Sequence, residues 1–301
     1  MTVAVTGGTG FLGRYIVRRL VESGSTCRCW HRPNSDLGGF DGLDAGIDWI
    51  PGSLGDAEAT RRLLDGADAI VHSALDHPGG GFRGGEGNLD DFLERNLMGT
   101  LRLIESARSL GVRRFVYIST CAVHDVILDD RPLDEAHPLW PKTTYGAHKA
   151  AVEAFISAFG RGEGYPICSL RPTGIYGLAR PGLSSKWASL VAKIARGEDV
   201  SCVRGGKEVH AADVARAVEI LLHADDIAGQ AYACYDRYIS ELEVATIAHR
   251  LCQSGSTIGG EPIRPKNEID ASKLKSLGMI FGGEALLETT VRELLEASSR
   301  G

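Results

Sequence analysis

The sequence predicts an α/β protein: a doubly wound parallel sheet over residues 1–171 and a smaller, mostly helical, substrate-binding part over residues 172–301, interleaved with the first. Short β-branched runs alternate with amphipathic helical stretches through the first two-thirds of the 301 residues. A glycine-rich turn joins the first run to the first helix, and after Arg171 the alternation breaks. Strands separated by helices pair in parallel through right-handed crossovers, which covers both faces of the sheet.

Thr2–Thr6 reads as the first strand, and Phe11–Ser23 as a helix with Leu12, Ile16, Leu20 and Val21 on one face. Thr26–His31 and Ile47–Pro51 are the second and third strands, and Asp56–Leu64 is a helix. Asp68–Ser73 is the fourth strand, Asn88–Leu110 a long helix and Arg114–Ser119 the fifth strand. A helix from Tyr145 to Phe159 and a strand at Pro166–Arg171 complete this rhythm. Beyond it, Ser184–Arg196, Ala211–His223, Glu241–Cys252 and Leu286–Glu296 read as helices, with short strands at Val200–Val203 and Gln230–Cys234. This part is expected over the carboxyl edge of the sheet. The glycine-rich stretch Gly79–Gly87 after the fourth strand reads as a surface loop, with a substrate lid as the alternative.

With 43% apolar and 24% charged residues the composition is that of an ordinary globular protein. No stretch approaches the roughly 18–20 uncharged residues that span a bilayer. The first apolar run is short and leads straight into glycines, which fits no signal peptide; a soluble, cytoplasmic protein with no membrane partner is expected. A net charge of −6 argues against a nucleic-acid surface. The cysteines at 27, 29, 121, 168, 202, 234 and 252 are scattered; Cys27 and Cys29 share a strand face, but no second pair or histidine cluster completes a metal site. Reduced thiols are expected.

Thr6-Gly7-Gly8-Thr9-Gly10-Phe11-Leu12-Gly13 lies between a strand and an amphipathic helix. Glycines at 7, 10 and 13 allow a tight turn, bring backbone N–H groups up to a pyrophosphate and let helix pack on strand, while the helix N-terminus offers partial positive charge. In this context the loop predicts a dinucleotide-binding Rossmann domain. An NAD site usually ends its second strand with an acid about 20 residues on. Here the strand ends Trp30-His31-Arg32. Arg32 suits a 2′-phosphate, with Arg14 as a possible assistant, so NADP is the preferred cofactor and NAD the second choice.

Tyr145 and Lys149, four apart at the start of a helix, share one face. The spacing alone is suggestive; its place after the fifth strand adds weight. A free tyrosine titrates near 10, too high for a base at neutral pH, and a lysine ammonium favours the phenolate. Thr120, ending the fifth strand, can hold the substrate oxygen while Tyr145 moves the proton. Cys121, His124 and His148 are weaker candidates for a second base.

These residues resemble the extended short-chain dehydrogenase/reductases of the NAD-dependent epimerase/dehydratase type, over nearly the whole chain. The loop at 6–13 is similar to that family's cofactor loop, and Gly66-Ala67-Asp68-Ala69-Ile70-Val71-His72-Ser73-Ala74 to its fourth strand. Asn96-Leu97-Met98-Gly99-Thr100 resembles its helix asparagine motif. Tyr117-Ile118-Ser119-Thr120 and Tyr145-Gly146-Ala147-His148-Lys149 match its catalytic segments, and Arg171-Pro172-Thr173-Gly174-Ile175-Tyr176-Gly177 its loop beside the nicotinamide. Val209-His210-Ala211-Ala212-Asp213-Val214-Ala215 and Asp270-Ala271-Ser272-Lys273-Leu274 fit its later landmarks. The resemblance implies Thr120 rather than Ser119 as the hydroxyl partner. It implies that Ser53, Leu54, Ser73 and Ala74 line the adenosine side, and that Asn96, Pro172 and Thr173 belong to the cofactor site.

The departures bear on the reaction. Family members that dehydrate sugar nucleotides place Asp-Glu directly after the threonine, where Cys121-Ala122 stands here. The Arg-Asp-aromatic stretch of sugar-nucleotide epimerases is shortened to Gly205-Gly206-Lys207-Glu208-Val209-His210, with Arg204 or Lys207 as substitutes for the diphosphate clamp. Ser53 replaces the family's aspartate after the third strand. The expectation is an NAD(P)-dependent oxidoreductase acting on a small carbonyl or alcohol; the alternatives are an NAD-dependent sugar or nucleotide-sugar epimerase, and a cofactor-binding scaffold without turnover. The resemblance, with apolar Phe92, Leu103, Phe155 and Phe159 on the long helix and the Tyr145 helix, predicts a homodimer built on a four-helix contact.

Overall fold

A computed structural model describes residues 1–77, 85–262, 264 and 267–299; residues 79–84 of the expected glycine-rich loop lie outside them. The strands are β1 (Thr2–Thr6), β2 (Thr26–His31), β3 (Ile47–Pro51), β4 (Ala69–His72), β5 (Arg114–Ile118), β6 (Ile167–Pro172), β7 (Gly174–Tyr176), β8 (Val200–Ser201), β9 (Gly205–His210), β10 (Gln230–Cys234), β11 (Arg237–Ser240) and β12 (Ile258–Gly259). The helices are α1 (Phe11–Glu22), α2 (Ala57–Leu64), α3 (Leu89–Leu93), α4 (Gly99–Ser109), α5 (Thr144–Ser157), α6 (Ala188–Ala195), α7 (Ala211–His223), α8 (Glu241–Cys252), α9 (Ser272–Ser276) and α10 (Gly283–Ser299). Side chains fix several of the helix starts. Asp56 accepts the Ala59 N–H at 2.9 Å, Thr143 the Gly146 N–H at 3.1 Å, and Ser240 the Glu243 N–H at 3.1 Å.

The chain divides into two units. The first comprises Met1–Pro172, Val214–Cys234 and Asp270–Met279; the second comprises Thr173–Asp213, Tyr235–Ile269 and Ile280–Gly301. Two stretches expected in the substrate-binding part therefore belong to the first unit. The reason is β10, which pairs in parallel with β6 and extends the main sheet.

Among the described residues of the first unit, seven strands run in the order β10-β6-β5-β4-β1-β2-β3, all parallel. The order reverses between β1 and β4, which opens a crevice at their carboxyl ends. The strands are covered on both faces: β4 and β6 are buried at every position. Ile70, Phe115 and Ile167 of the strands form one continuous core with Leu63, Ile104, Val152 and Ile156 of α2, α4 and α5. The long helix expected at Asn88–Leu110 is interrupted by a π-type turn at Glu94–Met98 that joins α3 to α4, a widening often found at functional sites. Phe92 and Leu103, expected to face a partner, are 3% and 1% exposed and serve the fold instead, whereas Phe155 and Met98 are 44% and 39% exposed.

In the second unit α6, α8 and α10 enclose Tyr176, Val191, Val244, Leu287 and Val291. Its sheet, β11-β9-β7, was not anticipated, because Gly205-Gly206-Lys207-Glu208 lacks the alternation of a half-buried strand. The helix expected from Ser184 begins at Ala188, since Trp187 holds a left-handed backbone, φ 64°, that a helix does not continue through. No helix among the described residues is long and apolar enough to cross a membrane.

Candidate active site

β1 delivers Thr6 to the switch point, and the chain turns at Gly7 with φ 75°. A Cβ on Gly7 would stand 2.8 Å from the Ala74 nitrogen, and one on Gly13 only 1.9 Å from the Gly7 carbonyl oxygen. The loop therefore folds against itself and against the end of β4 because both side chains are missing. Gly10 caps α1 without a side chain, and no acid stands in the first turn, so the helix N-terminus keeps its donors and partial positive charge for an anion.

A buried chain of hydrogen bonds fixes this loop. The Thr6 hydroxyl meets His72 Nδ1 at 2.6 Å, His72 Nε2 meets the Thr100 hydroxyl at 2.8 Å, and that hydroxyl donates to the Asn96 carbonyl at 2.5 Å. One direction satisfies the whole chain: Thr6 donates to Nδ1, and Nε2–H donates to Thr100. Burial holds the His72 pKa down at about 3, so the ring is neutral. The Thr6 hydroxyl also accepts the Ala74 N–H at 3.2 Å, and Ser73 Oγ donates to the Thr6 carbonyl at 2.8 Å. Asn96 is 2% exposed. Its carboxamide accepts from the Asp76 N–H and donates to the Asp76 carbonyl, each at 2.8 Å, thereby pinning the loop after β4.

At the end of β2 His31 is half-buried and Arg32 is exposed. Arg14 is already committed: its guanidinium donates to the Thr9, Gly38 and Asp36 carbonyls and pairs with the Asp36 carboxylate. Ser53 and Leu54 follow β3, Pro172 closes β6, and Thr173 is the next residue in the chain.

Of the residues expected to react, Thr120 stands two residues past the end of β5, and Tyr145 and Lys149 stand on α5. Lys149 is 5% exposed; its Nζ donates to the Ile118 carbonyl at 2.7 Å and lies 4.5 Å from the Tyr117 ring centre and 6.0 Å from that of Tyr145. Burial lowers its pKa to about 7, against an upward pull from Glu153. Thr120 Oγ1 accepts the Ala122 N–H at 3.1 Å, which leaves its own O–H to donate.

The neighbouring candidates are held as structure. His148 meets the Tyr145 carbonyl through Nδ1 at 2.8 Å, and burial lowers its pKa to about 3. His124 meets the Pro138 carbonyl through Nδ1 at 3.2 Å and Arg171 through Nε2 at 3.2 Å. The Cys121 thiol donates to the Arg171 carbonyl at 3.0 Å.

Sequence reading missed the brace behind them. Arg171 Nε lies 3.1 and 3.0 Å from the two Glu153 oxygens, and Ser119 donates to the same carboxylate. Both partners are 5% exposed at the side chain. One signal was present: a single charged residue, an arginine, within the strand Ile167–Pro172, which must find a partner once buried.

A model of the NAD dependent epimerase/dehydratase family matches residues 3–234. The trifunctional UDP-glucose 4,6-dehydratase/UDP-4-keto-6-deoxy-D-glucose 3,5-epimerase/UDP-4-keto-L-rhamnose-reductase of Arabidopsis thaliana is 27% identical over 311 residues, covering 92% of this chain and 44% of that protein. The 3 beta-hydroxysteroid dehydrogenase/Delta 5-->4-isomerase of Mycobacterium tuberculosis is 30% identical over 184 residues, 58% of this chain and 47% of that one. The chain thus spans less than half the length of these curated relatives. The UDP-glucose 4-epimerase of Thermus thermophilus, solved in complex with NAD, has the same fold, with a TM-score of 0.76, 24% identity, and 98% and 99% of the two chains covered. The parallel sheet, the glycine loop and the family match over residues 3–234 together make this chain a member of the NAD dependent epimerase/dehydratase family.

Proposed function

We propose that the chain is an NAD(P)-dependent oxidoreductase that moves a hydride between the nicotinamide and a small carbonyl or alcohol substrate. Tyr145 is the acid/base, Lys149 keeps positive charge beside it, and Thr120 donates to the substrate oxygen. The observation that carries this reading is the buried Lys149 ammonium, oriented by the Ile118 carbonyl on the helix face it shares with Tyr145. When bound, the dinucleotide supplies the hydride acceptor or donor. Gly7, Gly10, Phe11, Leu12 and Gly13 would hold its pyrophosphate, the start of α1 with no side-chain cap and no acid in its first turn being the fit that favours it. Ser53, Leu54, Ser73 and Ala74 would line the adenosine side, and Pro172 and Thr173 the nicotinamide side. Asn96 would act through the loop it pins.

NADP(H) is the preferred dinucleotide in this reading, because Arg32 is exposed where an acid would repel a 2′-phosphate. With Arg14 committed to residues 36–38, Arg32 carries that preference alone. A second reading, a redox-neutral epimerase of a sugar or nucleotide sugar with retained NAD, is favoured by the names of the Arabidopsis and Thermus proteins. We also assign a cytoplasmic location, supported by seven free thiols, and a homodimer through the segment Asn88–Leu110 and the helix from Tyr145 to Phe159, supported by exposed Met98 and Phe155. The deciding experiment is the fate of the cofactor. A reductase loses it on dilution and consumes added NADPH or NADH with a carbonyl substrate. Stoichiometric NAD retained through purification, with no dependence on added cofactor, would replace this reading by the epimerase.

A further inference from the structure

A cavity of about 450 Å³ lies within the first unit, among α5, residues 134–139, β6, the start of β10 and Lys273 of α9. That volume suits a small molecule. No residue of the glycine loop lines it, nor do Thr120, Tyr145 or Lys149. Two glycines bring its walls together. A Cβ on Gly229 would stand 2.8 Å from Arg161 Cγ, and one on Gly160 would overlap the Gly229 nitrogen. The π-type turn Ala158–Gly162, which follows α5 and carries Arg161, therefore lies directly against the residue before β10. Such turns are frequent at functional sites.

The charges around this cavity are only partly matched. Glu153 and Arg171 belong to its lining and neutralise each other. Arg161 is exposed, and its guanidinium has no hydrogen bond or ion pair among the described residues. Lys273 Nζ donates to the Gln230 side-chain oxygen at 2.8 Å and to the Ala231 carbonyl at 2.9 Å, both uncharged acceptors. An ammonium has three N–H groups, so one is left over. Glu135 accepts the Ala233 N–H at 2.7 Å and Asp134 the Ala136 N–H at 2.9 Å, and neither carboxylate pairs with a cation among the described residues. Two cations and two carboxylates thus line one cavity without an ion-pair partner, and Leu139, Ile156 and Ala231 add apolar wall.

We propose that this cavity binds a dipolar ion, an α-amino acid with an aliphatic side chain. Its carboxylate meets Arg161 and Lys273, its ammonium meets Glu135 and Asp134, and its side chain takes the apolar wall. A simple anion would suit the two cations but would meet repulsion from both carboxylates, and a simple amine the reverse. An ion that carries both charges satisfies all four groups with charge-assisted hydrogen bonds. The site is separate from hydride transfer, which uses none of these four side chains.

The test is calorimetric titration of the whole chain with L-leucine and with two analogues that each lack one charge, 4-methylpentanoate and 3-methylbutylamine. Wild type should bind L-leucine about ten-fold or more tighter than either analogue, the loss expected for one charge-assisted contact. Saturating NADP(H) or NAD(H) should leave that binding within a few-fold. Arg161→Ala, a change at an exposed side chain, should weaken L-leucine at least ten-fold and remove its advantage over 3-methylbutylamine. Glu135→Gln, which can still accept the Ala233 N–H, should remove the advantage over 4-methylpentanoate. If Glu135→Gln does not fold, Arg161→Ala decides alone. Absence of L-leucine binding, equal affinity for the three compounds, displacement by the dinucleotide, or an Arg161→Ala variant with wild-type affinity would each overturn the proposal.

Discussion

The Lys149 ammonium donates to the main-chain carbonyl of Ile118 at 2.7 Å, two residues before Thr120. A charge that is 5% exposed and held by one carbonyl is expensive to bury, and its pKa falls to about 7. The folded pKa lies below the free value of about 10.5. The penalty on the fold is therefore complete below pH 7 and fades as pH rises from 7 toward 10.5. We expect Lys149→Met to melt at or above the wild-type temperature at pH 6 while losing turnover and at least ten-fold in cofactor affinity. Calorimetry and a cofactor titration on one sample check this; a variant that melts lower and still binds cofactor would show that Lys149 serves the fold.

Four buried histidines set the acid limit of stability. Burial lowers His72 and His148 to about 3, and His124 and His210 to about 4. The unfolded chain takes up these protons near 6.5 while the folded chain resists, so stability falls as pH drops from about 6.5 toward 4. Each such histidine contributes a slope of about 1.4 kcal/mol per pH unit in that window. Denaturant midpoints between pH 8 and 5 should decline steeply below 6.5; a flat profile would contradict the neutral, buried assignment.

The Glu153–Arg171 brace predicts an asymmetry between single and double variants. Removing either partner leaves the other charge buried and should cost about 3–5 kcal/mol. Replacing both by leucine should cost much less, because no buried charge remains. Urea denaturation of Glu153→Leu, Arg171→Leu and the double variant checks this. Additive losses would mean that the two side chains do not act as a pair.

Much of this was legible in the residues. The first unit follows the expected rhythm because a parallel sheet buried on both faces demands continuous apolar runs, and Val3-Ala4-Val5 or Ile70-Val71 state that directly. That Tyr145 and Lys149 share one helix, α5, was legible from their spacing. The return of β10 to the main sheet was not legible, since Gln230–Cys234 is as short as any edge strand and its partner lies about 60 residues earlier. The Glu153 brace was hidden for a related reason: its members Ser119, His124, Glu153 and Arg171 meet only through the fold. β9 was not legible either, because the glycines and charges at 205–208 show no strand alternation.

Arg32 is the position that tests the cofactor. A charge-assisted hydrogen bond to a 2′-phosphate contributes about 1.5–3 kcal/mol, roughly ten- to a hundred-fold in affinity. Wild type should bind NADP(H) tighter than NAD(H) by that margin, Arg32→Ala should erase most of the difference, and His31→Asp should reverse it. Dissociation constants at fixed salt decide it. Equal or tighter binding of NAD(H) by the wild type would remove the Arg32 argument and favour the epimerase reading.

The proton-transfer centre itself is tested most directly by Tyr145→Phe, which deletes one hydroxyl and leaves the ring. Cofactor-linked turnover should fall by about 10²–10⁴-fold, the usual loss for one acid–base group, while cofactor affinity stays within a few-fold of wild type. A Tyr145→Phe enzyme that keeps more than a tenth of the wild-type rate would contradict the assignment of Tyr145 as the acid/base.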